Sequence, residues 1–399
     1  MKTTQGVQPE NRHAQSSHNQ LSAHFTQRLR RWAHTLVGLA LFFAVWAQTA
    51  PAIGGSNKAF VPPGARQATI LDQNVYVGSE FTPILILDPR DTNYVRKLLA
   101  AVAEVYQTIV ASDYPKRAQA LAGEIAAAQP DLVTLQEVSL VGIQVPGDIL
   151  LGGKTPATDV QLDYLANLLA SLGELGLHYA AVAIVTNFDL ELPMPTANPT
   201  VFADVRLTDH DVILARVDLP PGQFHVSHPQ AGNYQTALPL PSLGAGLLRG
   251  WCSVDVFMRG REFRFINAHL EENTAALIQA AQAQELLAGP VNTPLPVILV
   301  GDLNSDANGN DGTTTYSMFT QSLTDAWSMV HPGDPGLTWG HDPLLADPSL
   351  AFVWRLDLVL LRGSQFHPLD MWRFSPQFQD TPPLWPSDNA GLVARFRIK

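Results

Sequence analysis

Cysteine is almost missing from this 399-residue sequence, because Cys252 is the only one. A single cysteine excludes an intramolecular disulfide and a cysteine-based metal site. Internal repeats, heptad patterns and low-complexity tracts are also absent from the sequence. Charged residues make up only 15% and hydrophobic residues 46%. That composition is sufficient for one large globular domain or two small ones.

Basic residues are outnumbered by acidic ones, and the formal net charge is −11. Residues 1–52 contain five basic residues and one acidic residue, a net +4, which leaves −15 for residues 53–399. Duplex nucleic acid is bound by neutralising its phosphates with Lys and Arg. The charge balance therefore disfavours duplex nucleic acid as a partner, although a local basic groove could overcome it.

The N-terminal region has the pattern of a targeting segment. Residues 1–27 are polar and aperiodic, and we expect them to be disordered. An apolar run, residues 36–47, follows a group of arginines: Arg28, Arg30 and Arg31. This pattern, ending in small residues, is typical of a secretory signal, and the run is shorter than the ~20 residues that span a bilayer. We expect a secreted or periplasmic protein; an uncleaved membrane anchor is the second interpretation of residues 1–52, and a buried core helix the third.

Residues 53–66 are rich in glycine and proline and predict a linker, so we expect the folded domain at residues 67–399. Apolar periodicity predicts helices at 94–110, 114–128, 163–172 and 272–287, and a partly helical segment at 317–327. Apolar runs predict strands at 69–77, 131–135, 178–185, 251–258, 262–269, 296–301, 352–361 and 391–398. Helices that cover a pair of apolar sheets indicate an α/β sandwich.

Acidic and amide residues follow several of these strands, where they could face a common cleft. Glu137 follows one strand, and a buried carboxylate there needs a partner. Mg²⁺ is one such partner, and a salt-bridged strand end is the alternative. Asp302 and Asn304 follow another strand at i and i+2, so both can face the same side. An Asp can orient or deprotonate water and an Asn amide can donate to a developing negative charge; an ordinary turn is the alternative.

Three further segments have the same ambiguity. His269 ends a strand and could donate to a phosphate oxygen, although an isolated buried histidine is more often a satisfied core residue. Asp357 is predicted inside the strand 352–361, where a structural salt bridge is the alternative. Asp388 and Asn389 precede the last strand, where a simple turn would also explain them. Each of these segments alone is a weak indication of a site.

Together the segments resemble the endonuclease/exonuclease/phosphatase superfamily, which includes pancreatic deoxyribonuclease, abasic-site endonucleases and neutral sphingomyelinases. The resemblance covers about residues 66–399 and consists of six motifs in family order: Asn74, Gln136-Glu137, Asn267-Ala268-His269-Leu270, Gly301-Asp302-Leu303-Asn304, Arg355-Leu356-Asp357 and Ser387-Asp388-Asn389. It implies an α/β four-layer sandwich of two packed mixed β-sheets flanked by helices. It says much less about substrate, because the superfamily is functionally broad.

The resemblance also implies roles for single residues. The residues that it places at a Mg²⁺ ion, or at Mn²⁺ or Ca²⁺, are Asn74, Glu137 and Asp388. Asp302 would position or deprotonate the attacking water, while Asn304 and His269 would contact the phosphate. Asp357 would orient the side chain at position 389. The implied reaction is in-line attack of water on phosphorus, with the metal and amide donors stabilising the charge.

The sequence departs from the family at Asn389, where the family has histidine. Asparagine cannot titrate, but its NH₂ group has two donors, one for Asp357 and one for a phosphate oxygen. The geometry would then survive while charge and proton transfer are lost, a deficit of roughly 10²–10⁴-fold. This departure indicates a weakened phosphodiesterase or a protein that only binds phosphate ligands.

We therefore predict an exported, metal-dependent phosphodiester hydrolase that acts on lipid head-group esters or small phosphodiesters. The alternatives are a secreted nuclease and an inert phosphate-ligand binding protein on the same scaffold. The proline-rich segment 186–250 is either a substrate-selecting lobe that meets lipid or a plain surface elaboration. Arg249 could contact the substrate phosphate. We expect a monomer, with a membrane surface as a second partner after the phosphodiester substrate.

Overall fold

Two β-sheets contain most of the strands of the computed structural model, which describes residues 67–241, 243–347, 352–374 and 385–399. The strands are β1 (Gln67–Asn74), β2 (Leu132–Gln136), β3 (Leu140–Gln144), β4 (Asp159–Asp163), β5 (Tyr179–Pro195), β6 (Phe202–Arg216), β7 (Phe224–Asn233), β8 (Leu238–Leu240), β9 (Ala245–Leu247), β10 (Gly250–Met258), β11 (Arg261–His269), β12 (Val297–Asp302), β13 (Thr324–Asp325), β14 (Asp357–Arg362), β15 (Phe366–Phe374) and β16 (Gly391–Ile398). The helices are α1 (Thr82–Leu85), α2 (Tyr94–Ala111), α3 (Tyr114–Ala128), α4 (Tyr164–Glu174), α5 (Ala276–Ala288), α6 (Thr315–Thr320) and α7 (Ala326–Val330). The predicted signal segment and linker, residues 1–66, lie outside the described residues.

The larger sheet has eight strands in the order β15-β16-β1-β2-β6-β3-β4, with β5 paired along β6. Strand β6 is long enough to pair with β2 through residues 212–215 and with β3 through residues 204–208. The smaller sheet has six strands in the order β13-β14-β12-β11-β10-β7. Both sheets are mixed, because β1–β2 and β11–β12 are parallel pairs among antiparallel ones.

The strand alternation produces four layers. Successive side chains point to opposite faces of a strand, so Ile70 packs between the sheets while its neighbour Leu71 packs outward. The core between the sheets joins Ile70 to Phe265 of the smaller sheet. Helices α3 and α4 cover the outer face of the larger sheet, and α5 and α6 cover that of the smaller. The predicted four-layer α/β sandwich is confirmed.

The structure corrects two strand bounds at motif positions. Strand β1 ends at Asn74 and not at Val77, because Tyr76 adopts a left-handed backbone with φ 55°. Asp357 is the first residue of β14 and does not lie inside a longer strand. The backbone N–H groups of Leu356 and Asp357 both donate to Thr338 Oγ1. The pairing of β14 with β12 therefore begins at Asp357 and not earlier.

The proline-rich segment 186–250 forms β6 to β9 and much of β5. The paired β5 and β6 form a long antiparallel ribbon, and β8 and β9 form a small separate hairpin. No helix among the described residues is long and apolar enough to cross a bilayer. The ribbon matters for the site because its inner face lines the same cavity as the motif residues.

Candidate active site

The ends of β1, β2, β12 and the loop before β16 meet around a cavity of about 460 Å³. Six of the predicted site residues line this cavity: Asn74, Glu137, Asp302, Asn304, Asp388 and Asn389. The two others, His269 and Asp357, are buried directly behind lining residues and contact them. Residues that are far apart in sequence are therefore brought together, as the motif order requires.

Asn74 holds two of the acids in place. Its Nδ2 donates to Glu137 Oε1 at 3.0 Å and to Asp302 Oδ2 at 3.1 Å, while its Oδ1 accepts from the Tyr76 N–H at 2.9 Å. The Val77 N–H donates to Glu137 Oε2 at 2.8 Å. Glu137 has a left-handed backbone with φ 60°, a conformation that costs about 1–3 kcal/mol and is typical of functional sites.

Asp302 is held by three donors. Its Oδ1 accepts from the Asn304 N–H at 3.0 Å, and its Oδ2 accepts from Asn74 and, at 3.3 Å, from Asn389 Nδ2. The turn needs glycine at position 301, because φ is +142° and a Cβ there would overlap the Ala268 carbonyl oxygen. Asn304 Nδ2 donates to the Leu270 carbonyl at 3.1 Å, and this amide has a second N–H for a ligand.

Asn389 bridges two carboxylates. Its Nδ2 donates to Asp357 at 2.9 Å and 3.1 Å and to Asp302 Oδ2 at 3.3 Å. The predicted contact of one N–H with a phosphate oxygen stays a prediction, and in this structure both N–H groups face carboxylates. The reason is that Asp302 and Asp357 are direct partners in the β12–β14 ladder, so both N–H groups have a carboxylate within reach. Asn389 Oδ1 is buried without a hydrogen-bond partner among the described residues.

The acids at the cavity repel each other. Burial, followed by the charges of Asp302 and Asp72, raises the pKa of Asp357 well above its usual range. Burial, the charge of Glu137 and that of Asp302 likewise raise the pKa of Asp388 well above its usual range, although Trp339 Nε1 donates to Asp388 Oδ2 at 3.0 Å. The polar end of the cavity thus has an excess of negative charge.

This donor set fits a divalent cation. Two carboxylates and an amide, Glu137, Asp388 and Asn74, line one cavity, and the charge of Glu137 acts on Asp388. The described residues contain no closed group of three or more His, Cys, Asp or Glu ligands. Mg²⁺ does not need one, since it is held by one or two carboxylates together with waters and phosphate. A cation here would offset the repulsion that raises the pKa of Asp388.

His269 and Arg249 form a second polar group beside the cavity. His269 Nδ1 is 3.2 Å from Arg249 Nη1 and 3.6 Å from Asp211 Oδ1. Burial and the Arg249 charge lower the pKa of His269, but the hydrogen bond and charge of Asp211, with Asp302, outweigh them and raise it. Neutral His269 accepts from Arg249, whereas protonated His269 donates to Asp211. The structure places His269 behind Arg249 and not at the cavity wall.

Arg249 is the only Lys, Arg or His among the described residues that line the cavity, beside six acids. It lies at about a tenth of full side-chain exposure, 3.8 Å from Glu271, and its Nε is buried without a hydrogen-bond partner in the described part of the chain. A buried, partly unsatisfied guanidinium in a cavity is suited to an anion. The sequence indicated Arg249 only by its position near the end of the proline-rich segment.

Sequence reasoning missed Arg117 of α3, which holds two of the site loops. Its Nη1 donates to the Val75 carbonyl at 2.7 Å and to the Pro386 carbonyl at 3.0 Å, and its Nη2 donates to the Tyr76 carbonyl at 3.0 Å. The guanidinium therefore fixes the segment after Asn74 against the segment before Asp388. A lone Arg in an Ala-rich helix gives no signal of this role.

Comparisons with known proteins show the family of this chain. The Endonuclease/Exonuclease/phosphatase family profile matches residues 110–388. This chain belongs to that family, whose members hydrolyse phosphoester bonds. No curated protein matches the sequence.

Solved structures that are similar to this chain are only distantly related to it in sequence. A family protein from Leptotrichia buccalis C-1013-b has 16% identity and a TM-score of 0.50, over 82% of this chain and 99% of its own. A mannosyl-6-phosphatase from Bacteroides thetaiotaomicron VPI-5482 has 15% identity and a TM-score of 0.48, over 82% and 99%. A humanized D. rerio TDP2 has 16% identity and a TM-score of 0.48, over 83% and 99%.

Proposed function

We propose that this protein is an exported, Mg²⁺-dependent phosphodiester hydrolase that acts on lipid head-group esters or small phosphodiesters. The observation that carries the proposal is the convergence of six motif residues on one cavity. The pattern in residues 28–52 is the support for export. A binding protein without turnover is the second candidate, favoured by Asn389, which offers neither a charge nor a titratable proton.

The roles follow from the contacts. Asp302 has its two oxygens fixed by three N–H groups, so it can orient a water and accept its proton. The second N–H of the Asn304 amide and the Arg249 guanidinium can donate to phosphoryl oxygens. Glu137, Asp388 and Asn74 would hold the metal ion, which supplies positive charge for the phosphoryl oxygens.

The charge of the cavity supports a small or lipid substrate over duplex nucleic acid. Six acids and one basic residue are among the described lining residues, and residues 53–399 carry a net −15. A duplex would need a row of Lys and Arg side chains to neutralise its phosphates. A single phosphodiester needs only one guanidinium and a divalent ion.

Loss of the metal is expected to abolish hydrolysis, because Arg249 then remains as the single basic residue among the described lining residues, against six acids and the phosphate. Mg²⁺ at one hundred times its Kd is expected to stabilise the folded wild-type protein by about 2.7 kcal/mol and therefore to raise its Tm. Glu137→Gln is expected to lose most of this rise in Tm. Differential scanning calorimetry with and without EDTA measures it. Glu80→Gln, another acid that lines the cavity, is the matched control. An equal Mg²⁺ shift in both variants would contradict the assignment of Glu137.

Arg249→Gln is expected to raise KM by roughly 10–100-fold, since a hydrogen bond to a charged group contributes about 1.5–3 kcal/mol. Arg249→Lys keeps the charge and is expected to retain part of the affinity. Steady-state kinetics on a chromogenic phosphodiester measures both. Arg264→Gln, which breaks a 2.8 Å pair with Asp255 on β10, is the control. An unchanged KM in Arg249→Gln would remove Arg249 from the phosphate site.

The function itself is tested by incubating the purified full chain and Mg²⁺ with DNA, RNA, sphingomyelin vesicles and bis(4-nitrophenyl) phosphate, each with an EDTA control. EDTA-sensitive hydrolysis of the chromogenic diester or of vesicles supports the proposal. Salt-sensitive cleavage of DNA alone would replace it with a nuclease. Absence of turnover together with thermal stabilisation by phosphate would favour the binding protein.

A further inference from the structure

The cavity continues from the catalytic residues into a region that we call the apolar arm. The apolar arm is lined by Val102 and Val105 of α2, by Leu190 and Leu192 of β5, and by Val205 and Leu207 of β6. None of these six side chains has a hydrogen-bonding group. The catalytic end of the same cavity contains acids and amides, so one cavity has a polar end and an apolar end.

The sequence of the β5–β6 ribbon explains why the apolar arm is apolar. Leu190 pairs with Leu207, and Leu192 pairs with Val205. The alternate residues Asp189 and Arg206 face the other side and form a 2.6 Å ion pair. The ribbon thus presents a polar face outward and an apolar face toward α2.

The arm is open although its walls are apolar. Protein interiors are normally close-packed, with few voids larger than a water molecule. Here Leu192, Val205 and Leu207 pack against the buried cluster that includes Val102 and Val105, and all four ribbon residues are only half-buried. The space in front of them is part of a cavity of about 460 Å³, within the range of ligand sites.

The side chains that line the apolar arm determine which class of ligand can bind there. Reading a nucleobase requires hydrogen bonds to its edges in addition to stacking on aromatic rings. Tyr106 and Phe188 also line the cavity, but the six residues of the arm supply no hydrogen-bonding group. A sugar would leave its hydroxyl groups without partners, which costs binding energy. Aliphatic walls without polar groups fit a flexible hydrocarbon chain, whose burial is favourable in proportion to its length.

We propose that the apolar arm binds the hydrocarbon chain of the substrate while its phosphodiester group lies among Asp302, Asn304 and Arg249. The inference rests on the proposed hydrolase function and narrows its substrate class to phosphodiesters that have an alkyl or acyl chain. The β5–β6 ribbon, part of the segment 186–250, is then a substrate-selecting element.

A series of soluble alkyl 4-nitrophenyl phosphodiesters, from methyl to octyl and below the concentration at which they aggregate, tests the proposal with the full chain and Mg²⁺. Each added methylene is expected to raise kcat/KM by roughly two- to fourfold until the arm is filled. The hexyl ester would then exceed the methyl ester by at least roughly 30-fold. Monomeric substrates separate binding in the arm from binding to a lipid surface.

Leu190→Trp places a larger side chain in part of the arm. Because Leu190 is only half-buried, the substitution is expected to leave the backbone of β5 in place. We expect it to reduce the hexyl-to-methyl ratio of kcat/KM by roughly tenfold or more. Ile184→Trp is the matched control, because Ile184 is on the same strand, is 44% exposed and is not among the lining residues. The control is expected to keep the wild-type ratio.

Calorimetric titration with methyl and hexyl phosphate in the presence of Mg²⁺ gives a second readout that does not need turnover. Hydrolysis of all esters with no dependence on chain length would refute the proposal that the apolar arm binds the hydrocarbon chain, and it would leave the proposed hydrolase function unaffected. No hydrolysis, but tighter binding of hexyl than methyl phosphate, would overturn the hydrolase and support the arm. An unchanged ratio in Leu190→Trp would also count against the arm.

Discussion

Asp302→Asn is expected to lower kcat/KM by roughly 10²–10⁴-fold, because it removes the group that accepts the proton of the attacking water. The amide has nearly the same shape, and with its oxygen toward Asn74 and Asn389 it loses only the contact with the Asn304 N–H, so the fold is expected to persist. The charge of Asp302 raises the pKa of both Asp357 and Asp388. Its removal relieves repulsion, and Tm is expected to stay constant or rise while activity falls.

Kinetics and calorimetry on the same preparation separate the two effects. Asp255→Asn is a matched control, since Asp255 is a mostly buried acid of β10 that pairs with Arg264. It is expected to keep its activity and to lose some stability. Asp302→Asn with near wild-type kcat/KM would show that another group accepts the proton, and the proposed assignment of the site would fall.

Asn389→His is expected to raise kcat by at least tenfold, toward the roughly 10²–10⁴ that general acid–base catalysis contributes. An imidazolium at this position faces Asp357 and Asp302, the two acids that the Asn389 amide now bridges. It would stabilise ionised Asp357, whose pKa burial now raises, and it would place a titratable donor at the phosphate. The pH–rate profile is expected to gain a limb near the pKa of this histidine.

Two further variants make the test specific. Asn389→Gln keeps a neutral amide and is expected to show no gain. Asp357→Asn in the Asn389→His background is expected to cancel most of the gain, because the imidazolium loses its carboxylate partner. A gain below about tenfold in Asn389→His would mean that the asparagine does not limit the rate.

The sequence predicted the features that depend on neighbouring residues, such as the ends of a helix and the strands of a hairpin. Helix α3 has the predicted bounds, Tyr114–Ala128, because Pro115 stands at its start and Pro130 follows its end. The predicted strands 251–258 and 262–269 are present as β10 and β11, which pair in a hairpin closed at Arg259-Gly260. The family motifs fixed the order of the site residues, and the structure brings them to one cavity.

The sequence did not predict the features that depend on contacts between distant segments of the chain. Strands β3 and β4 are five residues each and have mixed burial, so apolar runs did not reveal them. The contact of Asn389 with Asp302 depends on the β12–β14 register, and motif comparison does not give a register. The apolar arm was not predicted, because Leu190 and Leu207 become neighbours only when β5 pairs with β6.

Arg117 joins parts of the chain that are synthesised far apart in time. Its guanidinium binds carbonyls at positions 75 and 386, and β16 pairs directly with β1. The cavity is therefore incomplete in any nascent chain that has not yet reached residue 386. Such a ribosome-bound intermediate lacks Asp388 and Asn389, so β16 joins the site only after the elements that precede it in the chain.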